Sequence, residues 1–150
     1  MKKIKVYIST CFKNAGSNYC QAMMSLQDKL KGVMHGVEFI EQKIPKGVQN
    51  IFEYKKRINR SVYIADLIIL EASMCSTELK NEIYIAVEKY GRKVLVLCKS
   101  NEAQALRFRI WTDLNNNPKY TFKTYSTNTE LIDICERAIA EAQQTHNELN

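Results

Sequence analysis

Residues 66–98 read DLIILEASMCSTELKNEIYIAVEKYGRKVLVLC, and the pattern of this stretch indicates the fold class. The continuous apolar run at 67–70 is typical of a parallel strand that is covered on both faces. Ser76 can cap a helix whose apolar residues recur at helical spacing, and Gly91 can end that helix. A second apolar run, 94–98, follows at once. The stretch therefore predicts a strand, a turn, a helix and a second strand.

The rest of the chain alternates in the same way between short apolar runs and helical patterns. Strands are predicted at 5–9, 37–40 and 120–125, and helices at 17–32, at 51–62 and after Thr127, which has capping-box spacing with Glu130. This alternation predicts an α/β fold with three layers: a mostly parallel five-stranded sheet with helices on both faces, as in flavodoxin-like and Rossmann-like folds. We expect a single domain over residues 1–150, because no linker or repeat divides the chain.

The composition excludes several classes of protein. No apolar run approaches the roughly 18 residues of a membrane-spanning helix, so we expect no membrane partner. The five cysteines are scattered and never spaced as CxxC, which argues against disulfides and a zinc site and favours the cytoplasm. Neither GxGxxG nor GxxxxGK[ST] occurs, which argues against dinucleotide dehydrogenases and P-loop proteins. We expect no metal and no cofactor.

The formal net charge of +6 favours a phosphate-bearing partner, either a nucleic acid or a nucleotide. The densest basic cluster combines 55–57 with Arg60 on a predicted helix, where a solvated helix face explains it. Nucleic-acid binding would require interleaved aromatic residues or a recognisable module, and the sequence has neither. We therefore do not expect nucleic acid as the partner.

A ligand in an open α/β sheet binds at the carboxyl ends of the strands, near the switch in strand order. The predicted loops 9–16 and 71–76 both lie at that edge. Ser76 stands at a helix N-terminus, which favours an anion, although a simple helix cap also explains this serine. Glu82 lies at the edge of the apolar stripe of the same helix. It is either a surface residue or a carboxylate that can attack or stabilise a sugar cation.

The stretch 65–98 resembles the core of the nucleoside 2-deoxyribosyltransferase superfamily, and within it the deoxynucleoside 5′-monophosphate N-glycosidases. In that family a strand ends in a glutamate, a turn contains a serine, and the catalytic glutamate follows on a helix. Glu71, Ser76 and Glu82 match this register without a gap. The resemblance implies a hydrolase or transferase that cleaves the N-glycosidic bond of a small nucleotide or nucleoside. It also implies a homo-oligomer, most simply a dimer.

The same resemblance implies roles for individual residues. Glu82 would attack C1′ of the sugar, and Tyr7, which matches a ligand-facing tyrosine of the family, would position it. Ser76 would hold the 5′-phosphate, and residues 9–11 would line the base or sugar. The predicted substrate-binding set is Ser9, Thr10, Cys11, Glu71, Ser73, Ser76 and Arg107.

The chain departs from the family at three places. Glu78 and Lys80 stand where the family usually has glycines, and the position of a family aspartate falls near Ile58. The serine that a neighbouring subunit supplies to the phosphate falls near Leu106 and Arg107, and an arginine there could also bind phosphate.

Two alternatives stay open. Residues 58–97 are also similar to TIR domains, and this likeness implies a glutamate-dependent NAD glycohydrolase. The departures from the first family are instead compatible with an inactive nucleotide-binding or interaction module.

Overall fold

The computed structural model describes residues 3–10, 18–40, 60–73, 77–100, 114 and 116–149. In this part of the chain one sheet contains β1 Ile4–Thr10, β2 Val37–Ile40, β3 Leu67–Glu71, β4 Lys93–Lys99 and β5 Tyr120–Tyr125. The helices are α1 Asn18–Val33, α2 Thr77–Tyr84 and α3 Asn128–Leu149, and a π-helical turn, Ile85–Lys89, continues α2. Within these ranges no helix is long and apolar enough to cross a membrane.

The strand order is β2-β1-β3-β4-β5, and every neighbouring pair is parallel. The predicted five-stranded α/β sheet is therefore confirmed, and the sheet is parallel throughout instead of mostly parallel. Of the predicted helix over 51–62, only the end falls in the described residues, where 60–64 are helical.

Alternate strand residues point to opposite faces of the sheet, and helices cover both faces. On one face α1 and α3 pack against a buried cluster that includes Val6 and Ile69. On the other face α2 packs against a cluster that includes Ile68 and Leu70, together with Val62 from the segment 60–64. We call these the α1–α3 face and the α2 face. Burial on both sides explains the continuous apolar run of β3.

Two local interactions define the start of the predicted strand–helix–strand unit and the end of its helix. At its start the Asp66 carboxylate accepts the backbone N–H of Lys5 at 2.8 Å, which holds β3 beside β1. At the end of the helix Gly91 adopts a φ of 63° and donates its N–H to the carbonyl of Val87 at 3.1 Å. A positive φ costs glycine no steric strain, which is why glycine ends this helix.

The start of α3 shows a modified capping box. The Glu130 N–H donates to Thr127 Oγ1 at 3.2 Å, as the spacing predicted. The Glu130 carboxylate accepts the N–H of Ser126 at 3.2 Å, one residue before the position expected for a capping box. Leu131 and Cys135 then face the core.

Cys98 and Cys135 are thiols that lie in the core and form no disulfide. Burial, and to a lesser extent the neighbouring Glu136 carboxylate, raises the pKa of Cys135 to about 12. This thiol is therefore protonated at neutral pH and is a poor nucleophile.

Candidate active site

The carboxyl ends of three strands lie side by side at the predicted edge of the sheet. Glu71, the last residue of β3, pairs with Thr10 of β1 on one side and with Leu97 of β4 on the other. The strand order reverses between β1 and β3, which is the position where flavodoxin-like sheets bind their ligands. The fold therefore provides a ligand position beside the turn that follows β3.

Glu82 is buried on α2, with 6% of its surface exposed. It is the sixth residue of this helix, so it lies about 8 Å along the axis from the helix start. Ile83 and Ala86 are buried on the same side of the helix, and Oε1 of the Glu82 carboxylate is inaccessible to solvent. Glutamates are rarely buried to this extent unless their charge is engaged in a contact or a function.

Tyr7 is fully buried in the middle of β1, where it pairs with Ile40 of β2 and Ile68 of β3. It belongs to the same buried cluster as Ile83 of α2. Its hydroxyl oxygen is also inaccessible to solvent. Tyr7 and Glu82 thus lie in the same layer of the protein, between the sheet and α2.

Glu71 points to the opposite face of the sheet from Tyr7. Its carboxylate accepts a hydrogen bond from the Tyr125 hydroxyl and another from the backbone N–H of Ser73. Tyr125 belongs to the cluster on the α1–α3 face. Glu71 and Glu82, which match the family register in the sequence, therefore lie on opposite faces of the sheet. A contact of Glu71 with substrate stays a prediction.

The turn after β3 is attached to β4 by two further hydrogen bonds. The N–H of Ala72 donates to the carbonyl of Leu97 at 2.7 Å, and the N–H of Lys99 donates to Ser73 Oγ at 2.8 Å. Ser73 is buried, with 1% of its surface exposed. The described part of this turn is thus held by β4 and β5, and a contact of Ser73 with substrate also stays a prediction.

Tyr125 is the residue of this network that sequence reasoning missed. Burial, and then the hydrogen bond and negative charge of Glu71, raises the pKa of the Tyr125 phenol well above its usual range. The two residues are 54 positions apart. The only signal in the sequence is a tyrosine at the end of a predicted strand, which does not identify its partner.

The remaining predicted site residues are only partly described. Ser9 and Thr10 are seen as backbone in β1, paired with β3. Cys11, Ser76 and Arg107 lie outside the described residues. Their predicted roles toward substrate therefore stay predictions.

The π-helical turn Ile85–Lys89 begins three residues after Glu82. It is marked by a hydrogen bond of 3.1 Å from the N–H of Tyr90 to the carbonyl of Ile85, five residues earlier. Such turns are rare and often occur at functional sites, because the extra residue changes which side chains face the core. Here Ala86 and Val87 are both buried against the sheet.

Comparison with solved structures identifies a similar fold. A CMP N-glycosidase from Clostridium botulinum, BcmB, matches with a TM-score of 0.61 and 16% sequence identity. The match covers 88% of this chain and 98% of that one. At this identity the similarity establishes the three-layer α/β fold alone. No protein-family model and no curated protein sequence matches this chain.

Proposed function

We propose that this protein cleaves the N-glycosidic bond of a nucleoside 5′-monophosphate or nucleoside, with Glu82 as the nucleophile. The observation that carries the proposal is the buried carboxylate on α2, in the same layer as Tyr7 and on the helix that follows β3. The similar fold of a protein described as a CMP N-glycosidase supports the same class of reaction. The resemblance of residues 65–98 supports it independently.

The proposed reaction has two steps. A carboxylate oxygen of Glu82 attacks C1′ of the sugar, and the C1′–N bond breaks with its electron pair going to the base, which takes a proton from water. Water then hydrolyses the sugar ester of Glu82, releasing the sugar and restoring the carboxylate. A carboxylate withdrawn from water is suited to this role because few solvent hydrogen bonds must be broken before attack. The Tyr7 hydroxyl positions the carboxylate.

The family resemblance of residues 65–98 supports the substrate contacts that we propose. Ser76 and the start of α2 hold the 5′-phosphate, since a helix N-terminus favours an anion. Arg107 adds a cation to this phosphate site, and residues 9–11 at the end of β1 contact the base or sugar. The proposed assembly is a homodimer that acts on a small nucleotide.

Released base is the direct readout of the proposal. We would incubate the protein with CMP, other nucleoside and deoxynucleoside monophosphates, the free nucleosides and NAD, and separate the products by chromatography. Glu82→Gln should abolish base release from a monophosphate or nucleoside. Glu88→Gln removes an exposed carboxylate from the following helical turn and is the matched control for charge. Activity that survives in Glu82→Gln would overturn the mechanism.

Two other outcomes would replace the proposal with another function. Release of nicotinamide from NAD alone would favour the TIR-like glycohydrolase. No base release, with nucleotides still raising the melting temperature, would indicate a binding module.

Mass spectrometry after incubation with a 2-fluoro-2-deoxynucleotide should find the sugar attached to the peptide that contains Glu82. An adduct on a different peptide would contradict this assignment of the nucleophile.

A further inference from the structure

A groove of about 430 Å³ lies on the α1–α3 face, at the end of the sheet opposite the candidate active site. Its floor includes Leu67 and Leu95, and Ile134 and Ala138 of α3 form one wall. The groove lies beside α3, where part of β5 is left uncovered. Thr121 of β5 is exposed there although it lies on a face that helices otherwise cover.

Four cationic side chains and one carboxylate line this groove. The cations are Lys93 at the start of β4, Lys119 and Lys123 around β5, and Arg137 on α3; the carboxylate is Glu141. Arg137 forms an exposed ion pair with Asp133 of its own helix at 3.2 Å. In the described ranges none of the three lysines forms an ion pair.

Protection of the sheet edge explains only part of this arrangement. Lysines on an edge strand prevent pairing with other chains, and Lys123 on β5 fits that role. Lys93 does not, because β4 is an inner strand of the sheet and the residue is half-buried. The convergence of cations from β4, β5 and the segment before β5 on one apolar floor therefore requires another explanation.

We propose that this groove binds a small ligand that carries an oligophosphate, such as a nucleoside di- or triphosphate. Its volume lies in the range of small-molecule sites, which is about 300–1,000 Å³. The lysines provide the positive charge that a chain of phosphates requires, and the half-buried Ile134 and Ala138 of the wall can contact the organic part of the ligand. This site is separate from the proposed active site, because Leu67, Lys93 and Lys119 are at the amino ends of the strands.

Isothermal titration calorimetry with inorganic tripolyphosphate tests the phosphate part of the proposal. We expect one ligand per chain and affinity that falls as salt is raised. Lys93→Gln combined with Lys123→Gln should weaken binding by about tenfold or more, since each lost charged contact costs severalfold. Lys3→Gln combined with Lys29→Gln removes the same charge from exposed positions outside the groove and should leave binding unchanged.

The organic part is tested by comparing ATP and adenosine with tripolyphosphate. ATP binding at least as tight as tripolyphosphate, with adenosine far weaker, supports the proposal.

Equal weakening of tripolyphosphate binding by the two double variants would show a general effect of net charge and overturn the proposal. Absence of tripolyphosphate binding would also overturn it. Single-stranded RNA that binds through Lys93 and Lys123 while tripolyphosphate does not would identify a different class of partner. Ser76→Ala combined with Arg107→Gln removes the phosphate contacts proposed for the active site and should leave tripolyphosphate binding unchanged, so this result is independent of the proposed enzyme activity.

Discussion

The hydroxyl of Tyr125 donates a hydrogen bond to the carboxylate of Glu71, and both side chains are buried. This bond connects the end of β5 to the end of β3 across the intervening strand β4. A buried carboxylate is costly unless its oxygens are hydrogen-bonded, and the N–H of Ser73 provides a second donor. The network thus stabilises the turn that leads into the helix of Glu82.

Removal of the Tyr125 hydroxyl should destabilise the fold. Tyr125→Phe keeps the ring but leaves the buried Glu71 carboxylate with one donor fewer, so we expect a loss of about 1–3 kcal/mol in the free energy of unfolding. Urea denaturation measures this loss. Tyr63→Phe is the matched control, because Tyr63 is 58% exposed and should change stability by less than about 0.5 kcal/mol.

A double-mutant cycle tests whether the two residues act together. If the hydrogen bond matters, Tyr125→Phe combined with Glu71→Gln should differ from the sum of the single changes by about 0.5–3 kcal/mol. Additive effects would show that the two side chains contribute independently to stability.

Alkaline pH should weaken the fold through the same tyrosine. The folded protein keeps the Tyr125 proton well above the ordinary tyrosine pKa of about 10, whereas the unfolded chain releases it near that pH. The stabilisation is therefore complete below about pH 10 and is lost as the pH rises further. The unfolding free energy of the wild type should fall more steeply above about pH 10 than that of Tyr125→Phe. Identical slopes in urea titrations would contradict this assignment.

Tyr7→Phe should reduce turnover without unfolding the protein. If the hydroxyl positions Glu82 during attack, kcat on the cleaved nucleotide should fall about tenfold or more, while KM changes less. Steady-state kinetics separates the two effects, and circular dichroism checks the fold. Tyr63→Phe, far less buried, is again the control. An unchanged kcat would remove Tyr7 from the proposed mechanism.

Two glycines should respond in opposite directions to the same substitution. Gly91→Ala places a side chain at a φ of 63°, so we expect a loss of about 1 kcal/mol even though the space around its Cβ is open. Gly32 lies in α1, also with open space and without a positive φ. Gly32→Ala should therefore stabilise the protein, by up to about 1 kcal/mol. Thermal and urea unfolding of both variants measure the two changes in stability. Equal changes would show that the positive φ of Gly91 does not determine how alanine affects stability.

Much of the fold was predictable because its signals are local. The apolar run of β3, the helical stripe through Ile83 and Val87, and the glycine at position 91 each act within a few residues. Together they predicted the order of strands and helices along the chain and the carboxyl edge of the sheet as the expected ligand position. The helical pattern placed Glu82 at the edge of an apolar stripe, and the resemblance of residues 65–98 then made it the candidate carboxylate.

Residue patterns thus predicted the strands, the helices and a mostly parallel sheet, and the family resemblance supplied the candidate nucleophile. The three-dimensional structure was needed to show that Glu82 is buried in the layer of Tyr7, while Glu71 points to the other face and bonds to Tyr125. It also decided that Lys93 and Lys123 line one groove. The physical reason is that these relationships depend on the register between strands far apart in the chain, and local residue patterns do not encode that register.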